Sequence, residues 1–161
     1  MKSSNAKVRL EIKKATLQEY NSYGDEWEKA YFDKDSDGYL AVEKQRIEQG
    51  NINKQEKEKY NKEYNMCLRL AKNGYKVEYL KMTDGSFDIY LNNISADLKK
   101  TGSHNDILSY AQKATRKQGA EIVVFEFEFM NSKIHEELNK LKMIGIKVKY
   151  FTSEDKIVID F

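Results

Sequence analysis

Gly85-Ser86-Phe87-Asp88-Ile89-Tyr90-Leu91, the pair Asn92-Asn93, and Ile94-Ser95-Ala96-Asp97-Leu98-Lys99-Lys100-Thr101 are the stretch that decides the fold. Two apolar runs joined by Asn-Asn read as a tight β-hairpin, because Asn tolerates the positive φ that a two-residue turn requires. Side chains alternate faces along a strand, so Asp97 and Lys99 share one face while Leu98 points the other way, into a core. An antiparallel partner strand would bring Asp88 to the same edge. Two carboxylates and an amine meeting there could hold a divalent cation and orient an attacking water, the groups that phosphodiester cleavage uses.

Working outward, Lys54 to Asn73 places Tyr60, Tyr64, Cys67, Leu68 and Ala71 on one helical face, with Asn73-Gly74 as the stop signal. Strands are expected over Tyr75 to Met82, Phe87 to Leu91 and Ile94 to Thr101. Ser103-His104-Asn105-Asp106 reads as a cap opening a helix with Ile107, Leu108, Ala111, Ala114 and Thr115 on its apolar face, ending at Gly119. Glu121 to Phe129 is the most apolar strand, followed by a helix over 131 to 143 and strands at Val148 to Thr152 and Lys156 to Asp160. The order predicts an α/β (α+β) architecture, a central mixed β-sheet flanked by helices, in which the 94 to 101 and 121 to 129 strands run parallel around the intervening helix.

Residues 1 to 50 read as an N-terminal extension to an α/β unit at 51 to 161. Val8 to Ile12 resembles a short strand, and Tyr20, Tyr23, Trp27, Tyr31 and Phe32 recur near helical spacing. Asp33-Lys34-Asp35-Ser36-Asp37-Gly38 imitates the start of a calcium-binding EF-hand loop. Its twelfth position is Lys44, where a bidentate acid belongs, so an acidic turn with Gly38 at positive φ, followed by a strand over Tyr39 to Val42, is the better reading.

The 161 residues suit one core, and 34% charged residues with no proline describe a polar globular chain. The longest apolar run, Ile122 to Phe125, is far too short to cross a bilayer, and the N-terminus offers no apolar segment of the secretory kind. Cytoplasmic synthesis and action are expected, with no membrane contact. Cys67, the one cysteine, reads as a buried structural thiol, and His135 as a surface residue. A net charge of +2 says little about partners, but Lys99, Lys100, Lys113, Arg116 and Lys117 face only Asp106 between positions 98 and 118. That local excess reads either as a solvated helix face or as a phosphate contact.

This helix, hairpin, helix and strand order, carrying Phe87-Asp88 and Asp97-Leu98-Lys99, resembles the core of the PD-(D/E)xK nuclease superfamily, which includes restriction endonucleases. The resemblance covers about 54 to 129. It implies a restriction-endonuclease-like core in which Asp88 and Asp97 bind Mg²⁺ (or Mn²⁺ or Zn²⁺) and Lys99 serves the attacking water. The proline that usually precedes the first Asp is Phe87 here. Some members add a Glu from the preceding helix, for which Glu63 is the best match, with Glu56 and Glu78 as other candidates.

Asn73-Gly74-Tyr75-Lys76-Val77-Glu78, the Phe-Asp and Asp-x-Lys strands, and Lys117-Gln118-Gly119-Ala120 before an apolar strand are similar to C-terminal toxin domains of contact-dependent growth inhibition (CdiA-type) proteins. That implies a delivered RNA or DNA nuclease, tRNA preferred, with an immunity protein as partner. The segment Ala96 to Asn105 also resembles C-terminal domains of phage head morphogenesis proteins, which implies a non-catalytic structural or binding module of a phage or mobile element as an alternative. In either setting Lys100, His104, Lys113, Arg116 and Lys117 would contact nucleic acid. A further alternative is metal-free cleavage of the barnase and colicin-like ribonuclease kind, with His104 as general base and Lys99 or Lys100 stabilising charge.

Overall fold

The computed structural model describes residues 2–155 and 157–161; Met1 and Lys156 lie outside it. Within them an eight-stranded sheet has its strands in chain order: β1 (Trp27–Phe32), β2 (Tyr39–Glu43), β3 (Lys76–Tyr79), β4 (Ile89–Leu91), β5 (Ile94–Thr101), β6 (Ile122–Phe127), β7 (Lys147–Thr152) and β8 (Ile159–Asp160). The helices are α1 (Lys2–Asn21), α2 (Lys44–Gly50), α3 (Lys54–Lys72), α4 (Ile107–Arg116) and α5 (Ser132–Met143). β2 with β3, β5 with β6 and β6 with β7 are parallel, while the other neighbours are antiparallel. This is the expected mixed sheet flanked by helices.

Period-2 alternation sorts the side chains between two cores. Leu40, Val42, Val77, Tyr79, Ile89, Leu98 and Val124 face α3, which buries Tyr60, Met66, Cys67, Leu70 and Ala71 against them. Val123, Phe125, Phe127 and Val148 face the opposite side, under Ile107, Ala111 and Ala114 of α4 and Ile134, Leu138 and Leu141 of α5. Cys67 is fully buried in the first core, and burial pushes its thiol well up, the signature of a structural thiol. The hairpin turn is as read, with Asn92 at φ 49° and Asn93 at φ 66°.

The N-terminal third differs from expectation. Val8 to Ile12 lies within α1, where the Lys- and Glu-rich flanks continue a helix and leave Val8, Leu10 and Ile12 exposed. The aromatics do not share one helix: Tyr20 ends α1, Trp27, Tyr31 and Phe32 lie on β1, and Tyr20 and Tyr23 pack on Tyr39, with centroids 5.5 and 5.8 Å away. Residues 27–43, within the span read as an extension, supply β1 and β2 to the common sheet. At the other end, Ile159–Asp160 of the strand expected over Lys156 to Asp160 is paired with β7, Ile157 and Val158 are outside any strand, and Lys156 lies outside the described residues.

The Asp33-to-Gly38 segment is a turn. Asp33 Oδ2 accepts from the Ser36 amide at 2.9 Å and from the Ser36 hydroxyl, and Tyr31 donates to Oδ1 at 2.8 Å. The positive φ falls on Asp37 (63°), not on Gly38. Gly38 is needed for another reason: a Cβ there would stand 1.8 Å from the Ala71 carbonyl oxygen at the end of α3.

Gly38→Ala should therefore cost about 3 kcal/mol, the upper end of overpacking, and lower Tm by roughly 6–12 °C in a thermal melt. Gly119→Ala, where φ is +73° and nothing lies within 4 Å of the new Cβ, should cost only about 1–2 kcal/mol of left-handed strain.

Candidate functional site

The site arises because β4 is short. It ends its pairing with β5 at Ile89 opposite Ala96, whereas β5 runs on to Thr101 beside β6 alone. From Leu98 onward the β5 edge has no strand to receive its amides. Asp88, just outside β4, fills the first gap: its Oδ2 accepts from the Leu98 amide at 2.8 Å, and its own amide donates to the Ala96 carbonyl at 3.2 Å. The carboxylate thus caps the broken ladder and is fixed by it.

Asp97 and Lys99 lie on the same face of β5, as alternation requires. Asp97 is fully buried; Lys99 Nζ stands 3.0 Å from its Oδ2 at ion-pair distance, yet neither Asp97 oxygen receives a directed hydrogen bond. The Lys99 ammonium also lies 5.7 Å from the centre of the Tyr110 ring of α4. Burial, the adjoining Asp97 carboxyl and the Glu63 charge together push the Asp88 carboxyl well above the usual range. Asp88 keeps partial solvent access through the cleft above it, but its charged form is surrounded mainly by protein.

Glu63 comes from α3. Its Oε2 accepts from the Tyr79 hydroxyl at 2.6 Å and lies 3.3 Å from Arg46 Nη2. Arg46, on α2, is fully buried with its guanidinium 5.0 and 5.3 Å from the Tyr79 and Tyr60 ring centres, and its Nε and Nη1 have no partner. Glu63 is therefore near enough to act on Asp88 electrostatically while its carboxylate is held by Tyr79 and Arg46. Glu78 is elsewhere: it alternates with Val77 and Tyr79 and faces away from α3, where Tyr23 hydrogen-bonds it. Glu56 opens α3 and lines neither cleft described below.

Above Asp88 lies a cleft of about 390 Å³, walled by Lys59, Lys62, Glu63 and Met66 of α3, by Leu98, Lys99 and Lys100 of β5, and by Tyr110 and Gln118. Lys100 is steadied at its rim by the largely buried Glu126, 3.0 Å away, which also accepts from the Ser153 hydroxyl at 2.8 Å. Lys59 and Lys62 were not foreseen, although with Glu63 and Met66 they follow the helical i, i+3, i+4, i+7 stripe. Once Glu63 is chosen, that stripe is readable in the sequence. By contrast, Lys113, Arg116 and Lys117 are exposed on α4 or just past it, and His104 sits in a 3-10 turn (His104–Asp106) beyond β5. None of these four lines the cleft. His135 is exposed on α5, edge-on to Phe161. A larger cavity, about 600 Å³, separates α1 from Asp35 and Asp37, but it is walled by an exposed helix and is remote from the carboxylate pair.

As oxygen donors, Asp88 and Asp97 fit a hard divalent cation: they adjoin, Asp97 Oδ1 has neither a hydrogen bond nor the ion pair that Oδ2 makes with Lys99, and burial disfavours the charged form of Asp88 in the absence of a counter-charge. Among the described residues no group of three or more His, Cys, Asp or Glu side chains is arranged to hold a metal, in keeping with Glu63 being engaged by Tyr79 and Arg46.

No protein-family profile matches the chain, and no curated protein matches it by sequence. Among solved structures it is similar to a chain of a CdiA-CT/CdiI toxin and immunity complex from Burkholderia pseudomallei. The TM-score is 0.54 at 16% identity, over 69% of this chain and 89% of that one. At that identity the likeness shows a shared fold.

An acid whose pKa is raised by folding takes up a proton when the chain folds, so its contribution to stability falls as pH rises from the unfolded carboxylate value toward the folded one. In metal-free buffer Asp88→Asn, which can still accept from the Leu98 amide, should raise Tm at pH 7. Each kcal/mol regained is worth roughly 2–4 °C. The gain should shrink at pH 5, and a melt series across that range reads it directly.

Proposed function

We propose that the chain is a metal-dependent nuclease that hydrolyses phosphodiester bonds in RNA, with tRNA as the expected target, and that it acts as a toxin domain in the cytoplasm of a target cell under the control of an immunity protein. One observation carries the nuclease reading: Asp88 and Lys99 line a cleft whose walls carry Lys59, Lys62 and Lys100, and the buried Asp97 lies directly behind them, 3.0 Å from the Lys99 ammonium. Buried acids beneath a ring of ammonium groups suit a polyanion whose reacting phosphate must be neutralised at one point. Solvated surface charge would not need the acids buried. The toxin and immunity parts of the proposal rest on the shared fold with a chain of a toxin and immunity complex and on the sequence resemblance.

In this reading Asp88 and Asp97 hold Mg²⁺, or Mn²⁺ or Zn²⁺ in its place. When bound, the ion neutralises phosphate charge and acidifies a water. Lys99, held beside Asp97 and the Tyr110 ring, would donate a hydrogen bond that orients an attacking water and would offset negative charge developing beside it. Lys59, Lys62 and Lys100 fix the register of the backbone without selecting sequence. Glu63, held by Tyr79 and Arg46, acts on the pair through its charge. A metal-free mechanism through His104 has less support, since His104 is not at the cleft.

Purified protein should cleave tRNA, and more slowly other RNA or plasmid DNA, with Mg²⁺ or Mn²⁺ and not with EDTA. Asp97→Ala should lose more than the roughly 10–100-fold typical of a residue that only supports a metal ligand, while His104→Ala should stay near wild type. Cleavage in EDTA that depends on His104 would replace this reading, and absence of cleavage under every condition would favour a binding module. Independently of turnover, Mn²⁺ at about 100 times its Kd should stabilise the wild type by ~2.7 kcal/mol and leave the melting curve of Asp97→Ala unmoved.

A further inference from the structure

Beside the carboxylate cleft lies a second one of about 260 Å³, bounded by the Leu80-to-Asp88 loop, by Lys59 and by Gln118. Lys59, Asp88 and Gln118 line both clefts, so the two open into each other at the carboxylate. The loop that walls it is built rather than slack. Gln49 of α2 grips Met82 from both sides, donating to its carbonyl at 3.1 Å and accepting from its amide at 2.7 Å. The Lys81 amide donates to Glu43 at 3.3 Å, and the Ser86 amide to the Thr83 carbonyl at 3.1 Å. Nothing in the acid pair's own geometry requires these contacts.

Three features give the cleft a chemistry. Gln118 lines both clefts, and its amide oxygen, buried and accepting no hydrogen bond from the chain, is an acceptor with spare capacity beside them. Phe87 supplies a half-buried ring, supported edge-on by Tyr90 with centroids 5.1 Å apart. Lys59 and Lys81 bring two cations to the lining, with Asp84 at the loop and Asp88 at the junction with the first cleft as its two acids. An aromatic face, an acceptor and a cationic margin are together what a nucleotide engages: its base by stacking and by an exocyclic or ring N–H, its phosphate by charge.

We propose that this second cleft is a subsite for one unpaired nucleotide adjoining the scissile phosphate, its base placed on Phe87 and against the Gln118 amide and its phosphate on Lys81 and Lys59. The inference rests on the nuclease reading of the neighbouring cleft and adds a substrate class to it: single-stranded nucleic acid, or a base turned out of a helix. At about 260 Å³ the cleft lies below the roughly 300–1,000 Å³ of self-contained small-molecule sites. Its opening onto the phosphate site suits an occupant covalently continuous with the group held there. An unpaired base exposes both its π-face and its N–H edge, the two groups that Phe87 and Gln118 would engage.

The test is binding in EDTA, measured by fluorescence anisotropy with labelled 12-nucleotide single-stranded RNA, the same sequence as single-stranded DNA, and the RNA as a duplex. Phe87→Leu and Gln118→Ala should each weaken single-strand binding by roughly 5- to 100-fold, the range for losing one base contact of this kind, and leave duplex binding within twofold. Lys81→Ala should lower the salt dependence by about one phosphate contact. The RNA and DNA arms show which sugar is accepted. Variants that leave single-strand binding unchanged, or weaken strand and duplex alike, would overturn the subsite while metal-dependent cleavage by the wild type would keep the nuclease reading intact. Should a variant fail to fold, wild-type protein photocrosslinked to 4-thiouridine RNA decides: adducts within residues 80–88 or at Gln118 support the subsite, and adducts confined elsewhere overturn it.

Discussion

The early end of β4 is the constraint on which the site depends. A strand of three residues cannot pair the full length of its eight-residue neighbour, so β5 keeps one bare edge inside the protein. Buried amides must find an acceptor, and the acceptor supplied is a carboxylate. Placing an acid there brings it against Asp97, which strand alternation has already turned inward. The adjacency of two acids thus follows from a main-chain deficit, and its cost appears in the upward shift of Asp88. Beside the same bare edge, α3 residues from one face of the sheet and Tyr110 and Gln118 from the other wall the cleft.

Arg46 bears on the same balance from the other side. A fully buried guanidinium next to Glu63 offsets one of the negative charges near the pair, and the Tyr60 and Tyr79 rings share its solvation. Two of its nitrogens still lack partners, so the arrangement is not an optimum for stability alone. Residues that violate the usual rules of burial cluster here: Asp97 without directed hydrogen bonds, Asp88 beside it, Arg46 incompletely paired, and the Gln118 oxygen bare. Of the buried side-chain atoms without a hydrogen bond among the described residues, those outside this cluster are Asp37 Oδ1 and Glu56 Oε2, and the concentration here is the energetic support for the proposed site.

Much of this was legible in the sequence. The 3.6 period of α3, the Asn-Asn turn, the alternation along β5 and the β5–α4–β6 crossover all follow from local patterns that tertiary packing did not contradict. Where it did, the reason is physical. Val8, Leu10 and Ile12 alternate as a strand would, but no neighbour pairs with them and the charged flanks favour a helix. Tyr20, Tyr23, Trp27 and Tyr31 keep near-helical spacing across the boundary between α1 and β1, where Tyr20 and Tyr23 pack on Tyr39 and Trp27 of β1 packs on Tyr23. The Lys113, Arg116 and Lys117 run turned out to be exposed, whereas the clefts join the expected Lys99 and Lys100 of β5 to Lys59 and Lys62 of α3 and Lys81 of the β3–β4 loop, scattered through the sequence and gathered only by folding. Arg46 had no sequence signal at all: in a polar seven-residue helix nothing marks one arginine for burial.

Each strand of the sheet lies beside the one that precedes it in the chain, so no pairing waits on a distant segment. Loop-closure entropy is then met in small instalments, a topology that favours rapid folding for a sheet of eight strands. A chain emerging from its N-terminal end could set down β1 to β5 in turn and have Glu63, Asp88 and Asp97 within one continuous sheet-and-helix unit before α5, β7 and β8 exist. The later elements complete the second core, and with it the lifetime of the folded state, more than they determine where the acids lie.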